Sequence, residues 1–551
     1  MDGSDALADG TGSAGGDILL PERADLPSGA EIAARADRSL LAALLDARRA
    51  FGGDKPAIED GDRRVLTYTE LVRAAAALSR VLGREAEGER VGILLPSSVG
   101  AAVAYFAVLA AGRTPVMLNF TAGPATVAAA CRIADVRTVL TADRFVALAR
   151  LGPLVDVLKP AHRVLPLERL REGVGRVDKL YAAAAAPLGL FPRLSPDDPA
   201  CIVFTSGSEG EPKGVVLTHR NLLSNVEQVR LSLPVERAKV FFNPLPIFHC
   251  YGLIPGMLLP LVLGAKTVVH PSPLRAKEVA LRIAETEANV LVATDTFLRQ
   301  YARVGDPGSL SSLHFAVCGA ERVRAETREL VRSRFGFEVV EGYGVTETSP
   351  VLAANHPDDI RDGTVGCLLP GIEARLEAVP GLDGGYRLHV RGPNVMAGYL
   401  TSAGLVPPPG GWHDTGDVVA VEDGRLVIRG RLKRFAKIGG EMTSLATVEN
   451  LAGMVWPDAL HAAAAVPGGR KGEAIVLLTE EKAPDADLLR LKVREMLLTE
   501  RFLPDRIIPV AEIPLLGTGK VDFVAVTRLA AELLAADADA SGADAAAASR
   551  T

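Results

Sequence analysis

The sequence predicts an α/β protein. A large N-terminal domain of doubly wound sheets carries a small β-rich subdomain, and a small α+β C-terminal domain follows it. Three observations predict this. The 551-residue chain is too long for one ordinary core, since domains run to about 100–200 residues. Short β-rich apolar runs alternate with helical patterns as far as about residue 364, as strand–helix–strand units of a parallel sheet do. Beyond that point paired strands and then a basic stretch replace the alternation.

Residues 1–36 hold few large apolar side chains to offset the entropy of ordering, and they read as a disordered leader. The large domain follows over 37–430. Its first clear unit is "VGILLP" (91–96), then the helical "VGAAVAYFAVLAAG", then "TPVMLN". Strand-like "CIVF" and "VVLTH" flank the loop "TSGSEGEPKG" (205–214). The apolar run "GLIPGMLLPLVLGA" (252–265) is shorter than the about 20 residues that span a bilayer and carries two prolines, so it reads as buried core. A second unit runs from "KTVVH" (266–270) through "AKEVALRIAETE" to "ANVLVAT", and a third from "LHFAVCG" through "AETRELVRSRFG" to "FEVVEGYG". "YRLHVRGPNVMAGYL" and "VVAVEDGRLVIRG" read as antiparallel strands, with a hairpin turn at Asp423 and Gly424. A hinge is expected at 431–434, a small lid domain over 435–535, and a disordered tail over 536–551. No short-period repeat is present.

Composition bounds the function. A hydrophobic content of 48% and a charged content of 23% are those of a globular protein. The net charge of −6 argues against a general nucleic-acid binder and is silent on small ligands. Five scattered cysteines without a CxxC pair suit reduced thiols in a cytoplasmic setting, with neither a disulfide framework nor a zinc site. The acidic, Gly-rich N-terminus lacks the basic region and apolar core of a signal peptide.

The loop at 205–214 poses a charge problem. Thr205, Ser206, Gly207, Ser208, Gly210 and Lys213 are the residue types that cradle phosphate, through close backbone approach, hydroxyls and a cation. Yet Glu209 and Glu211 lie among them. The loop matches neither GxxxxGK[ST] nor GxGxxG, and alone it reads as a turn. Four further islands change that reading: "EGYGVTETSP" (341–350), "WHDTGD" (412–417), "GRLKRFAKIGGE" (430–441) and "PLLGTGK" (514–520). Together with "LTYTEL" (66–71) and "PLPIFHCYG" (244–252), in this order and spacing, they resemble the adenylate-forming superfamily of acyl-CoA synthetases, luciferases and peptide-synthetase adenylation domains. The resemblance covers about residues 38–535. It is nearest to acyl–acyl-carrier-protein synthetases and the synthetase half of the bifunctional 2-acylglycerophosphoethanolamine acyltransferase. That group also carries Glu at the Glu209 position, with "GYGVTE", "KRFAKIxGEM" and "PLLGxGKxDF".

The resemblance implies a two-step reaction. ATP converts a fatty acid into acyl-AMP with loss of pyrophosphate, and a phosphopantetheine thiol, on CoA or on holo-acyl carrier protein, then takes the acyl group. It implies that Glu347 holds Mg²⁺, that Thr346 meets the α-phosphate, and that Tyr343 stacks near adenine. Asp417 would accept the ribose hydroxyls and Arg431 would reach ribose or phosphate. Lys433 occupies the hinge position. Lys520 would bridge carboxylate and nucleotide, brought in and withdrawn by a mobile lid. Gly319, Ala320 and Glu321 match the segment lining the adenine cleft. His249 matches the histidine between acyl tunnel and thiol entrance. A nucleophilic pairing of Cys250 with His249 is rejected, because neighbours along a strand point to opposite faces.

Two other readings compete. In one, the chain is the synthetase component of a lysophospholipid acylation system. Its transferase would be another protein, since none of the nine histidines has Asp five residues on. In the other it is a non-catalytic nucleotide-binding relative, which retention of Glu347 and Lys520 opposes. The run "RGRLKRFAK" (429–437) holds Arg429, Arg431, Lys433, Arg434 and Lys437 with no acid between them. It is expected to steer an acidic carrier protein. Peripheral membrane contact is left open.

Overall fold

The computed structural model describes residues 17–206, 211–438, 441–469, 472–515 and 521–548. Among the described residues the strands form sheets of nine, eight, five and five strands. In the nine-stranded sheet six neighbours run parallel, from Glu338–Gly344 through Phe315–Cys318, Val290–Ala293, Val240–Asn243 and Lys266–Val269 to Pro56–Glu59. The eight-stranded sheet has a parallel half, Pro199–Ser206 to Arg163–Pro166, and an antiparallel edge beginning at Pro212–Thr218.

All three sequence units form. Arg90–Ile93 and Thr114–Met117 pair in parallel around the helix Val99–Ala110. Phe315–Cys318 and Glu338–Gly344 do so around Ala325–Phe335. Lys266–Val269 and Val290–Ala293 both lie parallel to Val240–Asn243, which runs between them. A helix apolar on every side must be covered on every side. Val99–Ala110 meets that demand in a single apolar core that includes Ile58 and Val269 of one large sheet and Val91 and Val203 of the other. Ser98 caps its first turn through the amide of Ala101. Tyr105 Oη donates to the carbonyl of Ala200 at 3.1 Å, fixing the strand that leads into the glycine loop. The run 252–265 is buried core, an α–π–α succession over Cys250–Leu253, Ile254–Leu258 and Leu259–Val262. No helix among the described residues is long and apolar enough to cross a membrane.

The β-rich subdomain is an antiparallel sheet, in order Ile18–Leu20, Glu373–Ala378, Tyr386–Arg391, His413–Glu422 and Arg425–Arg431. Asp423 and Gly424 make its expected hairpin, both at positive φ (49° and 74°). The last sheet is built from Phe435–Ile438, Glu441–Ser444, His461–Gly469, Gly472–Thr479 and Arg506–Pro509, with its own core around Leu445, Val448, Leu477 and Val493.

Three expectations are corrected. The leader is not disordered over its described part. Ile18–Leu20 joins the edge of the antiparallel sheet, and Gly29–Arg35 forms a capping-box helix that buries Ile32. Only tertiary contacts supply that compensation, because few large apolar side chains are present locally. The tail is helical to Ala548, as a continuation of the helix begun at Phe523. Its alanine-rich sequence has high helix propensity, which outweighs its low hydrophobicity. Finally, "MAGYL" does not extend the strand Tyr386–Arg391. Gly398–Thr401 crosses to the eight-stranded sheet and pairs with Pro212–Thr218.

Candidate active site

The parallel strands of the nine-stranded sheet end together at Asn243, Val269, Ala293, Cys318 and Gly344. In open parallel sheets ligands bind beyond such carboxyl ends. His249, Gly319, Ala320, Glu321, Tyr343, Thr346 and Glu347 lie on or just after them. A second element reaches the same place from the other sheet. The hairpin Pro199–Ser206 with Pro212–Thr218 sets Thr205 opposite Lys213. Gly344 lets the chain fold back tightly after Tyr343, since a Cβ there would lie 1.8 Å from the Pro350 carbonyl oxygen.

Asp417 is the electrostatic centre. It is buried, pairs across the hairpin with Arg431, and meets the Arg431 Nε at 3.1 Å. Tyr343 Oη donates to its second oxygen at 2.7 Å. Burial raises the Asp417 carboxyl above the usual range, while Arg431 and the Tyr343 hydroxyl pull it down. Burial, with Asp417 beside it, raises the Tyr343 phenol. The Arg431 side chain remains 63% exposed, so this cation is open to solvent on the side away from Asp417.

A second knot forms around Glu347. Tyr399 Oη donates to Glu347 Oε1 at 2.6 Å, and the backbone amide of Met396 donates to the Glu347 carbonyl at 2.8 Å. Lys213 Nζ lies 5.4 Å from the centre of the Tyr399 ring. Glu347, Tyr399 and Lys213 thus tie the turn Thr346–Thr348 to the glycine hairpin. The Thr346 hydroxyl lies 3.1 Å from Cys250 Sγ. His249 is the N-cap of Cys250–Leu253, which corrects the strand argument made from sequence. A helix start, not strand alternation, separates the two side chains. Cys250 is turned to Thr346, and His249 packs on Phe248 with ring centres 4.7 Å apart.

Gly319 and Ala320 share a cavity of about 70 Å³ with Gly342, Tyr343 and Gly344. Ala320 has φ of 68°. Glu321 is engaged structurally, accepting from the Thr296 amide at 3.0 Å at the start of the helix Asp295–Val304. The same cavity forms a narrow, almost wholly apolar channel that is lined also by Val292, Val317, Phe241, Val290 and Leu233. Register gives its depth. Phe241 faces Val290, Val292 faces Val317, and Cys318 faces Glu341. Gly342 therefore stands four residues above the level of Phe241, about 13 Å at 3.3 Å per residue.

Gly207, Ser208, Glu209, Gly210 and Lys520, and the side chain of Ser206, lie outside the described residues. Glu211 is exposed. Lys433 is exposed in the turn Leu432–Arg434. The cationic run 429–437 is not the free rim expected of it. Arg429 meets Glu422 at 3.4 Å, Arg431 meets Asp417, and Arg434 meets Glu449 at 2.5 Å with both side chains largely covered. Arg434 also lies 3.6 Å over the Phe523 ring. The neutralising acids come from other strands and helices, so no local reading finds them. Sequence reasoning assigned no role to Tyr399, although it quoted "GYL". Nor did it find the buried Arg328–Glu341 pair (2.7 Å), which braces the strand carrying Tyr343.

A family model described as AMP-binding enzyme matches residues 45–400. The chain is 31% identical over 428 residues to a 4-coumarate–CoA ligase-like protein of Oryza sativa subsp. japonica, covering 74% of this chain and 77% of that one. It is 30% identical to the medium-chain fatty-acid–CoA ligase of Escherichia coli K12, covering 72% and 73%. The crystal structure of ATP-bound MatB from Rhodopseudomonas palustris superposes with a TM-score of 0.74 at 25% identity, covering 90% of this chain and 99% of that one.

Proposed function

This chain belongs to the AMP-binding enzyme family, and from that premise we propose that it activates a fatty acid as acyl-AMP and passes the acyl group to a phosphopantetheine thiol. The observation that carries the reading is the apolar channel that opens between Gly319 and Gly342, beside the charged cluster of Asp417, Arg431 and Glu347. A nucleotide at the charged cluster and an alkyl chain in the channel would bring carboxylate and α-phosphate together at Thr346.

In the first step a carboxylate oxygen attacks the α-phosphorus and pyrophosphate leaves. Two anions approach, so cations must screen them. Lys213 and Arg431 supply fixed positive charge, and Thr346 a hydroxyl. In this proposal Lys520 adds a cation at the attacking oxygen. Asp417 retains lone pairs beyond those used by Tyr343 and Arg431, and these accept the ribose hydroxyls. Among the described residues no cluster of three metal-ligating side chains exists. A single carboxylate at Glu347 fits Mg²⁺, which is held by one or two carboxylates together with phosphate oxygens. Bound there, the ion would screen the polyphosphate. In the second step a thiolate attacks the acyl carbonyl and AMP leaves. CoA and a holo-acyl carrier protein present the same thiol.

The channel depth supports a medium-length chain. With C–C bonds of about 1.5 Å, a zigzag alkyl chain of roughly ten carbons fills about 13 Å. One experiment tests the whole reading. Purified protein, ATP, Mg²⁺ and a panel of fatty acids with 4-coumarate are assayed for pyrophosphate exchange, then for thioester formation with CoA and with holo-acyl carrier protein. Exchange peaking near ten carbons supports it; no exchange with any fatty acid refutes it.

A further inference from the structure

We propose that the outer face of the helix Arg176–Leu188, with the segment 189–194 after it, docks the protein on an anionic lipid surface. Four aliphatic side chains project from this element into solvent: Val177 (68% exposed), Leu180 (71%), Leu188 (68%) and Leu190 (44%). Val177, Leu180, Ala184 and Leu188 follow one another at intervals of three, four and four residues, which places them in one stripe along the helix.

The stripe cannot roll inward. On the opposite side Ala182 and Ala185 pack against Ala76 of the helix Tyr68–Glu85. Asp178 is buried there and takes both guanidinium nitrogens of Arg84, at 2.8 and 2.9 Å. Arg80 lies over the Tyr181 ring at 5.2 Å. Gly189 ends the helix in a left-handed conformation, and Tyr181 Oη donates to the Leu190 carbonyl at 2.8 Å. The tip bearing Leu188 and Leu190 is therefore a fixed projection.

Charge decides the occupant. Arg176 and Lys179 on this helix, Arg169 and Arg171 on the preceding helix Leu167–Glu172, and Arg193 in the segment after it are all exposed, and among the described residues none of them makes an ion pair. Glu168 and Glu172 are the exposed acids between 168 and 193, against five exposed cations, because Asp178 is neutralised by Arg84. This local excess of positive charge stands against a chain whose net charge is −6. Projecting aliphatic side chains in a cationic rim are what an interfacial helix offers to acyl chains and anionic headgroups. A protein partner would instead be gripped by exposed aromatic anchors, and the large apolar side chains exposed here are all aliphatic. The inference uses the proposed function in one respect only: a fatty acid dissolves in bilayers, so docking would put the enzyme beside its substrate.

The test uses the full-length protein without ATP or fatty acid, in co-flotation with phosphatidylcholine vesicles with and without phosphatidylglycerol. Binding is expected on the anionic vesicles and should weaken as salt rises. Leu180→Asp with Leu188→Asp should lower the bound fraction about tenfold or more. Arg176→Glu with Lys179→Glu should lower it on anionic vesicles alone. All four positions are exposed, so thermal unfolding and pyrophosphate exchange with water-soluble hexanoate should match wild type. Absent flotation at low salt overturns the proposal, as does equal flotation of the leucine variant. A wild-type dimer that the leucine variant converts to monomer also overturns it, by assigning the face to a second copy. Flotation together with no exchange on any fatty acid would sink the proposed function and leave the docking surface standing.

Discussion

Phe241 closes the deep end of the apolar channel, at the register level of Val290, and is 1% exposed. Replacing it by alanine should lengthen the preferred fatty acid. A phenylalanine buries about 150–250 Å² and a methylene about 30 Å², so allowing for the remaining Cβ the ring frees space for about four carbons. At about 0.8 kcal/mol per buried methylene, four carbons are worth roughly 3 kcal/mol, or about two hundredfold in relative kcat/KM. The optimum should move from near ten carbons toward fourteen, and the C14:C10 ratio of kcat/KM should rise by about tenfold to two hundredfold. The assay is pyrophosphate exchange across even-numbered acids from C6 to C16. A C6 acid does not reach the floor, so its kcat/KM should stay within about threefold of wild type. The substitution costs about 3–5 kcal/mol of stability by cavity formation. Phe241→Leu is therefore run beside it and should give a smaller shift in the same direction. A folded variant with an unchanged C14:C10 ratio would refute the placement of the acyl chain along these strands.

Four further outcomes are expected. Asp417→Asn removes the charged acceptor between Tyr343 and Arg431; kcat/KM for ATP should fall about 10- to 150-fold, since hydrogen bonds to a charged group are worth about 1.5–3 kcal/mol, and an unaltered ATP dependence would dismiss Asp417 as a nucleotide ligand. Lys520→Ala should lower acyl-AMP formation by about 10²–10³ and spare thioester formation from supplied acyl-AMP; equal losses in both half-reactions would exclude a lid with two positions. Arg434→Ala strands the largely covered Glu449, so urea unfolding should show a loss of about 3–5 kcal/mol, recovered in part by Glu449→Leu in the same chain. His219 is fully buried and accepts from the Leu40 amide through Nδ1, and burial lowers its pKa from 6.5 to about 4. The unfolded chain binds that proton more tightly, so this contribution is complete above pH 6.5 and is lost as pH falls toward 4. At about 1.4 kcal/mol per pH unit, the loss should reach about 2 kcal/mol by pH 5, and it should be missing from His219→Gln; identical pH profiles for the two proteins would count against it.

Much of the molecule was decided locally. The three strand–helix–strand units were legible because apolar runs of strand length alternate with amphipathic or fully apolar helical patterns, and each pattern reports its own burial. The turn at Asp423 and Gly424 was legible because few residues tolerate positive φ. The islands around Tyr343, Glu347 and Asp417 were legible as motifs, and the structure brings them together at the strand ends. What the chain could not announce were relations between distant segments. Tyr399 meets Glu347 because Gly398–Thr401 leaves the antiparallel sheet for the edge of another. Cys250 meets Thr346, 96 residues away, because a helix start turns it there. The run 429–437 shows the difference most sharply. Its sequence holds five cations and no acid, yet Glu422, Asp417 and Glu449 meet three of them in space. Charge along a chain is fixed by the sequence. Electrostatic free energy depends on distances through space, and only the tertiary structure sets those.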